Sequence, residues 1–326
     1  MITLFNIRPK GFNIGNDLIH LGLRHLLHEA FGEVVNLIPL PATSRYESQA
    51  TAGLTARTVH EINQYGHGVI VGGGNLYENG ELEVGLDALE ALEVPLLLFS
   101  LSRGRIYGRR EELVARTDAM SDRVVSALNR KARHSLARDR ATLAYLQGLG
   151  FPQAVLGGCP TLFLDRVADL LPPLAAQNQG CTLVSVRNPA LMNLPLKRQA
   201  EVHGDVVAIL DLLRREGRHD LRLLCHDHRD IPFAASIRGV EYIYTADVYT
   251  YLALLRSAAL SVSYRLHATL PCLAFGTPAI SVSYDERALS AMETIGLGSW
   301  NIDMVASKSL VSDVADRHRR LNENSR

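Results

Sequence analysis

The most informative stretch of the chain runs from Ala259 to Arg287, A-L-S-V-S-Y-R-L-H-A-T-L-P-C-L-A-F-G-T-P-A-I-S-V-S-Y-D-E-R. Two short β-prone runs, Leu260 to Tyr264 and Ala279 to Tyr284, flank a compact apolar segment. The dipeptides Phe-Gly and Thr-Pro at 275–278 mark a turn before the second run. The pattern predicts a strand, a helix and a second strand.

Two polar residues of this stretch stand where an α/β sheet places its ligands. Arg265 and His267 follow the first predicted strand, at its carboxyl end. A guanidinium can hold an anion there, and an imidazole can move a proton. The stretch therefore predicts part of a binding or catalytic site.

Length and composition favour a two-domain globular protein without a global electrostatic field. The chain has 326 residues, 47% of them hydrophobic, which is enough for two cores of ordinary size. Lysine plus arginine equals aspartate plus glutamate at 34 each, so no overall charge recruits nucleic acid or an anionic membrane. A local cluster of residues must therefore recognise any anion.

Targeting signals and cysteine patterns point to the cytoplasm. No segment approaches the roughly 20 apolar residues that span a bilayer, and the strand-like Ile2 to Phe5 stands where a secretion signal would begin. The four cysteines are far apart and form no C-x-x-C pair, which disfavours a zinc knuckle and a disulfide scaffold. We expect reduced thiols and no bound metal.

Strand-like and helical segments alternate in both halves of the chain, an order typical of doubly wound α/β domains. Asp165 to Gln179 is rich in proline, alanine and amide residues and is the best linker candidate. We therefore expect two Rossmann-like domains, residues 1–176 and 177–326, facing a cleft.

The first half places an amide-rich turn before its first helix. Asn16 or Asp17 is expected to cap a helix from Leu18 to Ala30, and the start of that helix faces the edge of the predicted sheet. Asn16 is therefore a candidate ligand contact.

Three consecutive glycines, Gly72, Gly73 and Gly74, end a predicted buried strand in the first half. Glycines there let the backbone approach a ligand closely or form an anion-binding nest. A tight turn without a ligand explains them equally well. The string is neither G-x-G-x-x-G nor a P-loop, so a dinucleotide or Walker-type site is disfavoured.

Polar residues follow two strands of the second half. Arg187 comes directly after the predicted strand Cys181 to Val186, and His226 comes after Leu221 to Cys225. A helix is predicted between them, from Glu201 to Glu216. A parallel sheet would bring these side chains to the same edge as Arg265.

Several motifs occur together and in order from about Asn13 to Asp285. They are G-N-D-L-I, V-I-V-G-G-G-N-L-Y, S-L-A-R-D-R-A-T, V-S-V-R-N and, most specific, S-Y-R-L-H-A-T-L-P-C-L-A-F-G-T-P-A-I-S-V-S-Y-D. Their order and spacing resemble the polysaccharide pyruvyl transferase family. The resemblance implies a fold like that of GT-B glycosyltransferases.

The resemblance also implies an activity. Members transfer the enolpyruvyl group of phosphoenolpyruvate to a sugar, commonly as a cyclic ketal, and release phosphate. The family's R-L-H motif corresponds to Arg265, Leu266 and His267, and its arginine after the first strand of the second domain corresponds to Arg187. One departure is Cys159, which stands where the family usually has aspartate before proline.

These assignments predict which residues bind the donor and which residue transfers protons. Phosphoenolpyruvate carries a carboxylate and a phosphate, which suit the two guanidinium forks of Arg187 and Arg265. His267 is the candidate acid or base, and His226 is a candidate donor contact. Residues 177–326 are the expected donor side and residues 1–176 the expected acceptor side, with no cofactor beyond phosphoenolpyruvate as substrate.

The expected partner is a saccharide or a nucleotide- or lipid-linked glycan acceptor in the synthesis of an exopolysaccharide or another cell-envelope polysaccharide. The stretches Pro41 to Thr55, a predicted covering loop, and Tyr77 to Glu83 are where the acceptor could lie, but they match no motif. A homo-oligomer is left open.

Other interpretations remain open. The donor could be a nucleotide sugar whose diphosphate lies at Gly72 to Gly74, or the chain could be a non-catalytic binding protein. H-D-H-R-D at 226–230 is also compatible with an ordinary solvated turn, and His226 with His228 is weak evidence for a metal. Arg138 and Asp139 are expected to form an ion pair within their domain.

Overall fold

The computed structural model describes residues 1–45, 51–78 and 80–324, which form two compact units. The first unit contains Met1–Arg105 and Ala115–Pro160, and the second contains Ile106–Val114 and the chain from Thr161 onward. The units thus separate at Thr161, whereas the sequence placed the boundary near residue 177. Residues 46–50 of the predicted covering loop, and residue 79 of the second acceptor stretch, lie outside the described residues.

The strands of the described residues are β1 (Ile2–Arg8), β2 (Val35–Pro41), β3 (Gly68–Gly74), β4 (Leu96–Leu101), β5 (Ile106–Tyr107), β6 (Leu113–Val114), β7 (His134–Ala137), β8 (Val155–Leu156), β9 (Thr182–Val186), β10 (Leu221–Cys225), β11 (Glu241–Tyr244), β12 (Leu260–Ser263), β13 (Ala279–Ser283) and β14 (Ile302–Asp303).

The α-helices are α1 (Ile14–Phe31), α2 (Ala56–Tyr65), α3 (Leu86–Glu90), α4 (Asp122–Lys131), α5 (Arg140–Gly148), α6 (Leu196–Arg215), α7 (Ile231–Ser236), α8 (Val248–Ser257), α9 (Leu266–Ala274), α10 (Glu286–Thr294) and α11 (Leu310–Asn324). Short 3₁₀ segments include Pro160–Leu170 and Ala176–Asn178, within and beside the predicted linker.

The first unit is built on a parallel sheet with the strand order β2-β1-β3-β4-β7-β8. All seven residues of β3, G-V-I-V-G-G-G, are buried, as expected for a central parallel strand covered on both faces. The strand order changes direction between β1 and β3. Sheets of this kind place their ligands at such a switch point, outside the carboxyl ends of the strands.

The second unit has a parallel sheet with the order β11-β10-β9-β12-β13-β14. Its switch point lies between β9 and β12, and both strands are buried along their whole length. The two sheets confirm the predicted pair of Rossmann-like α/β domains, each with its own apolar core.

A small hairpin from the first half of the chain belongs to the second unit. β5 and β6 pair antiparallel, and Tyr107 is buried in the core of the second unit, where its hydroxyl donates to Asp303. Glu111, in the hairpin turn, pairs with Arg198 of α6 at 2.9 Å. The sequence did not predict this element, because two-residue strands are too short to show periodicity.

Two predicted helix starts were wrong. α1 begins at Ile14, and its cap is Asn13, whose side chain accepts a hydrogen bond from the backbone N–H of Gly15, so Asn16 lies inside the first turn. α6 begins at Leu196, five residues before Glu201, directly after a proline that stands at its amino end. Both helices are therefore longer at their start than the apolar pattern indicated.

Candidate active site

Three predicted residues follow three adjacent strands of the second sheet. β10, β9 and β12 lie side by side and parallel, and His226, Arg187 and Arg265 come at or just after their carboxyl ends. Arg187 and Arg265 flank the switch point between β9 and β12, the position at which open α/β sheets bind ligands. The structure therefore brings these side chains to one edge, which we call the arginine edge.

Arg265 is held in place through its backbone. Its N–H donates to the hydroxyl of Ser263 at 2.9 Å, and that hydroxyl donates to the carbonyl of Arg265 at 2.8 Å. The residue is 6% exposed, yet its guanidinium makes no hydrogen bond or ion pair with any described residue. A buried cation without a carboxylate partner is rare, because desolvation of the charge is left uncompensated. Its charge is thus available to an anionic ligand.

Arg187 has a different environment. Its Nη1 lies 3.5 Å from Oδ2 of Asp227 and 3.4 Å from Oδ1 of Asp230, two carboxylates that are fully buried. Asp230 also accepts a hydrogen bond from the backbone N–H of Asn188 at 3.0 Å. Burial and the charge of Arg265 lower the pKa of Arg187, while Tyr284 and the two carboxylates raise it. The carboxylates both neutralise this guanidinium and fix where it points.

Asp227 anchors the same network. Burial by itself would raise the pKa of its carboxyl, but hydrogen bonds from Arg229 and the charges of Arg229 and Arg187 outweigh burial and bring the pKa to about 2. The side chain of Asp227 also accepts from the backbone N–H of Arg229 at 3.0 Å. Asp227 therefore stays ionised at neutral pH, and the solvated-turn interpretation fails for it because it is 0% exposed.

His226 is 1% exposed. Its Nδ1 is 2.6 Å from the hydroxyl of Tyr251 on α8. Burial lowers the pKa of the imidazole well below its usual value, and the charges of Arg265, His267 and Arg187 lower it further. His226 is therefore a neutral histidine at the arginine edge, unsuited to carrying a positive charge.

Leu266 and His267 form the first turn of α9, directly after Arg265. Both are partly exposed, and the charge of His267 reaches His226. Backbone N–H groups at a helix start lack partners within the helix and favour anions. The start of α9 therefore adds to the positive potential of the arginine edge.

Sequence reasoning named Asp227 as a residue that could orient a catalytic group, but it missed Asp230 and Tyr284. Tyr284 directly follows β13, is partly buried, and is close enough to raise the pKa of Arg187. Its hydroxyl makes no hydrogen bond with the described residues. The rule that found Arg187, a polar residue after a buried strand, would also have found Tyr284.

The glycines lie at the switch point of the first sheet, which we call the glycine edge. Gly73 and Gly74 have φ values of 89° and 83°, in the left-handed region that favours glycine. A Cβ on Gly73 would come within 2.2 Å of Cγ2 of Ile19 in α1, so close packing of the helix already requires that glycine. At Gly74 the nearest atom, Oδ1 of Asn16, would be 3.8 Å away, an ordinary van der Waals contact, so sterics do not require glycine there.

Ser100, on the neighbouring strand β4, is an unpredicted feature near the glycine edge. It has a φ of 55°, unusual for a residue with a side chain, and lies where the register with β7 shifts. Its hydroxyl is buried and has no hydrogen-bond partner among the described residues. Strained backbone and unpaired buried groups of this kind concentrate at functional sites.

Two other predictions concern ion pairs and metals. Arg138 and Asp139 do pair within the first unit, at 3.7 Å between Nε and Oδ2. Within residues 1–45, 51–78 and 80–324, no group of three histidine, cysteine or acidic side chains is arranged to hold a metal. None of the described helices has the length and apolar character needed to cross a membrane.

The family model for polysaccharide pyruvyl transferase matches residues 13–286. The chain belongs to the polysaccharide pyruvyl transferase family. The match includes the three glycines at 72–74 and both arginines, and it confirms the resemblance seen in the motifs. As a family member, the protein is a transferase of polysaccharide biosynthesis. Comparison of the sequence with curated proteins returned no match.

Solved structures with a similar fold are GT-B-type enzymes. UDP-GlcNAc 2-epimerase from Methanocaldococcus jannaschii, in complex with UDP-GlcNAc and UDP, is 10% identical with a TM-score of 0.58, over 97% of this pyruvyl transferase chain and 92% of the epimerase. The Neisseria meningitidis UDP-GlcNAc 2-epimerase, bound to UDP-GlcNAc, is 10% identical with a TM-score of 0.52, over 99% of each chain. An alpha-glucosyltransferase in complex with UDP and DNA is 10% identical with a TM-score of 0.50, over 99% of this chain and 89% of that one. At this identity the likeness shows the GT-B fold.

Proposed function

We propose that the protein transfers the enolpyruvyl group of phosphoenolpyruvate to hydroxyl groups of a saccharide or of a nucleotide- or lipid-linked glycan. The observation that carries the proposal is the pair of arginines flanking the switch point of the second sheet, in a member of this family. Phosphoenolpyruvate presents two anionic groups, and a carboxylate or a phosphate suits a guanidinium fork. The second unit is the donor side in this proposal.

The two arginines have different roles in donor binding. Arg265 supplies net positive charge, because no carboxylate among the described residues neutralises it. Arg187 supplies direction, because two buried carboxylates hold it in place before the substrate arrives. Leu266 lies between Arg265 and His267 and would contact the donor through the start of α9.

The chemistry needs one proton delivered to carbon and one hydroxyl proton removed. Protonation of C3 of phosphoenolpyruvate develops positive charge at C2, and a sugar hydroxyl forms a bond to C2 as it loses its proton. The bond from C2 to the phosphate oxygen then breaks, and phosphate leaves with the bonding electrons. A second hydroxyl closes the ketal, so the two hydroxyl protons end on C3 and on phosphate. His267 is the proposed acid or base for these transfers.

We assign the acceptor to the first unit. Gly74 offers backbone without a side chain beside the amide of Asn16, which suits a neutral, hydroxyl-rich ligand. Gly72 and Gly73 shape the same edge, although packing of α1 accounts for Gly73. In this proposal the enzyme works in the cytoplasm on a precursor of a cell-envelope polysaccharide.

A nucleotide-sugar donor is the rival, because two of the similar structures contain UDP-GlcNAc. The test is to incubate the purified protein with phosphoenolpyruvate and a panel of saccharides and measure phosphate release, and in parallel to incubate it with nucleotide sugars. We expect phosphate release that depends on both phosphoenolpyruvate and an acceptor. Turnover seen only with nucleotide sugars would replace the proposal with its rival.

His267→Gln tests the chemical role within the same assay. We expect kcat to fall on the order of 10²–10⁴-fold, because proton transfer loses its acid or base, while phosphoenolpyruvate affinity changes only a few-fold. His203→Gln, on α6 of the same unit, is the control and should keep its activity. Equal activity of the His267 variant and the wild-type protein would remove His267 from the mechanism.

A further inference from the structure

Tyr251 and His226 form a buried pair at the arginine edge. The Tyr251 hydroxyl lies 2.6 Å from Nδ1 of His226, and the two rings meet edge to face with centroids 5.2 Å apart. Tyr251 is fully buried and His226 nearly so. Nε2, on the other side of the imidazole, makes no hydrogen bond with the described residues. Nδ1 of His226 is therefore hydrogen-bonded to Tyr251, and Nε2 remains available for a further hydrogen bond.

Hydrogen-bond chemistry decides which nitrogen carries the proton. A neutral imidazole has one N–H and one acceptor nitrogen, and a phenol has one hydrogen to donate. Burial raises the pKa of Tyr251, so its hydroxyl keeps that hydrogen and must place it on an acceptor. Ser185 acts on the phenol as a donor would, since its hydroxyl lowers the pKa of Tyr251, and its Oγ accepts from no described group, which leaves Nδ1 as the acceptor. If Nδ1 carried the proton instead, the buried phenol hydrogen would go unpaired.

We propose that Tyr251 is a positioning residue that donates to Nδ1 of His226, fixes the imidazole as its Nε2–H tautomer, and so presents a hydrogen-bond donor to an anionic group of phosphoenolpyruvate. The identity of that ligand depends on the proposed function, whereas the tautomer does not. The donor would share the substrate with Arg265 and Arg187. A neutral donor adds specificity at this edge without adding charge.

The surroundings favour a neutral donor over a cation. Arg187 follows β9, Arg265 and His267 begin α9, and all three act on His226 electrostatically in the direction that opposes its protonation. The buried carboxylates that follow β10, Asp227 and Asp230, are engaged with Arg187 rather than with His226. Tyr251 is the contact from α8.

The first test is the tautomer in the free protein. Nitrogen-15 spectra of protein labelled at histidine, with His226→Gln used to assign the resonances, report which ring nitrogen carries hydrogen. We expect a protonated Nε2 and a hydrogen-bonded, unprotonated Nδ1 in the wild-type protein. In Tyr251→Phe the two nitrogen shifts should move toward each other, because nothing then fixes the tautomer. A protonated Nδ1 in the wild-type protein would overturn the inference.

The second test is kinetic, with Tyr264→Phe as the matched control. Tyr264 is also buried in the second unit, and its hydroxyl has no hydrogen-bond partner among the described residues. Tyr251→Phe should lower kcat/KM for phosphoenolpyruvate on the order of tenfold, mainly through KM, and Tyr264→Phe less than about twofold. Equal effects of the two variants would overturn the positioning role.

The two tests also separate this inference from the proposed function. Should wild-type protein turn over no phosphoenolpyruvate, yet show the Nε2–H tautomer that Tyr251→Phe disturbs, the proposed function fails and the role of Tyr251 is supported. Should turnover be normal but the nitrogen shifts be the same in wild type and Tyr251→Phe, the inference fails and the proposed function stands.

Discussion

The two switch points of this transferase differ in the groups that line them. At the arginine edge, buried side chains supply the polar groups: Arg187 with two carboxylates, Arg265 with none, and His226 on Tyr251. At the glycine edge, left-handed glycines bring the backbone close to the first turn of α1.

Under the proposed function, the difference matches an anionic donor and a neutral acceptor. An anionic donor needs fixed cations, and a buried cation needs a network to hold it. A neutral acceptor with many hydroxyls needs access to backbone groups and space. The comparison therefore predicts that charge changes disturb only the arginine edge and that added volume disturbs only the glycine edge.

Arg265→Gln should have the largest effect. Loss of the un-neutralised guanidinium should weaken phosphoenolpyruvate binding on the order of 10²–10³-fold, because two charge-assisted hydrogen bonds are removed. Folding stability should stay the same or rise, since the cation has no partner to lose among the described residues. Calorimetric titration and urea unfolding measure the two quantities on one preparation.

Arg187→Gln is the matched comparison at the same edge. It should lower the unfolding free energy by about 3 kcal/mol, because Asp227 and Asp230 lose their shared cation in a buried site. Equal losses of unfolding free energy in the two arginine variants would contradict the proposed difference, in which buried carboxylates hold Arg187 but not Arg265.

Gly73→Ala tests the glycine edge, and its effect should be the next largest. The added Cβ would meet Ile19 at 2.2 Å on backbone with a φ of 89°, so we expect a loss of about 3 kcal/mol in unfolding free energy. Gly148→Ala at the end of α5 is the control, since its Cβ would meet nothing within 4 Å, and it should be neutral or slightly stabilising. Thermal unfolding of both variants measures the difference, and similar melting temperatures would show that Gly73 tolerates a side chain.

Asp227→Asn probes the ionic network through pH. The pKa of Asp227 is about 2 in the folded protein, against an ordinary value of 3.8, so its stabilisation is present above pH 3.8 and is lost as pH falls through about 2. This difference in pKa corresponds to about 2 kcal/mol of unfolding free energy at pH 7, and the Asn variant should lack that contribution. Urea unfolding across acid pH should show a shallower loss of stability in the variant.

Asp211→Asn is the control for that experiment. Asp211 pairs with Arg214 on the surface of α6 in the same unit and should contribute less than about 0.5 kcal/mol. If both variants followed the wild-type pH profile, the buried network would not depend on Asp227.

Tyr284→Phe should have the smallest effect. Its hydroxyl lies near Arg187 without a partner among the described residues, so its loss should leave stability unchanged. If the phenol contacts the donor, phosphoenolpyruvate affinity should fall about threefold to tenfold, as for one neutral hydrogen bond. Unchanged affinity would place Tyr284 outside the donor contacts.

Much of this architecture follows from the sequence alone. β10 was predicted with its exact bounds, Leu221–Cys225, because a short apolar run between turns has few alternatives. The rule that polar residues after parallel strands share an edge placed Arg187 and Arg265 together without coordinates. The roles of these residues stay predictions until a ligand is tested.

The missed features depend on contacts between distant residues. The hydroxyl of Tyr107 meets Asp303 across 196 positions, and Tyr251 meets His226 across 25. The strand pattern also gave no sign that Arg187 is neutralised while Arg265 is not, since both simply follow buried strands. Only the packing of side chains distinguishes the two arginines.

The central claim is that the arginine edge binds phosphoenolpyruvate. A crystal of the protein soaked with phosphoenolpyruvate tests it most directly. We predict electron density for the ligand in contact with the guanidinium groups of both Arg265 and Arg187. Ligand density at another position, with none at these two arginines, would contradict the account.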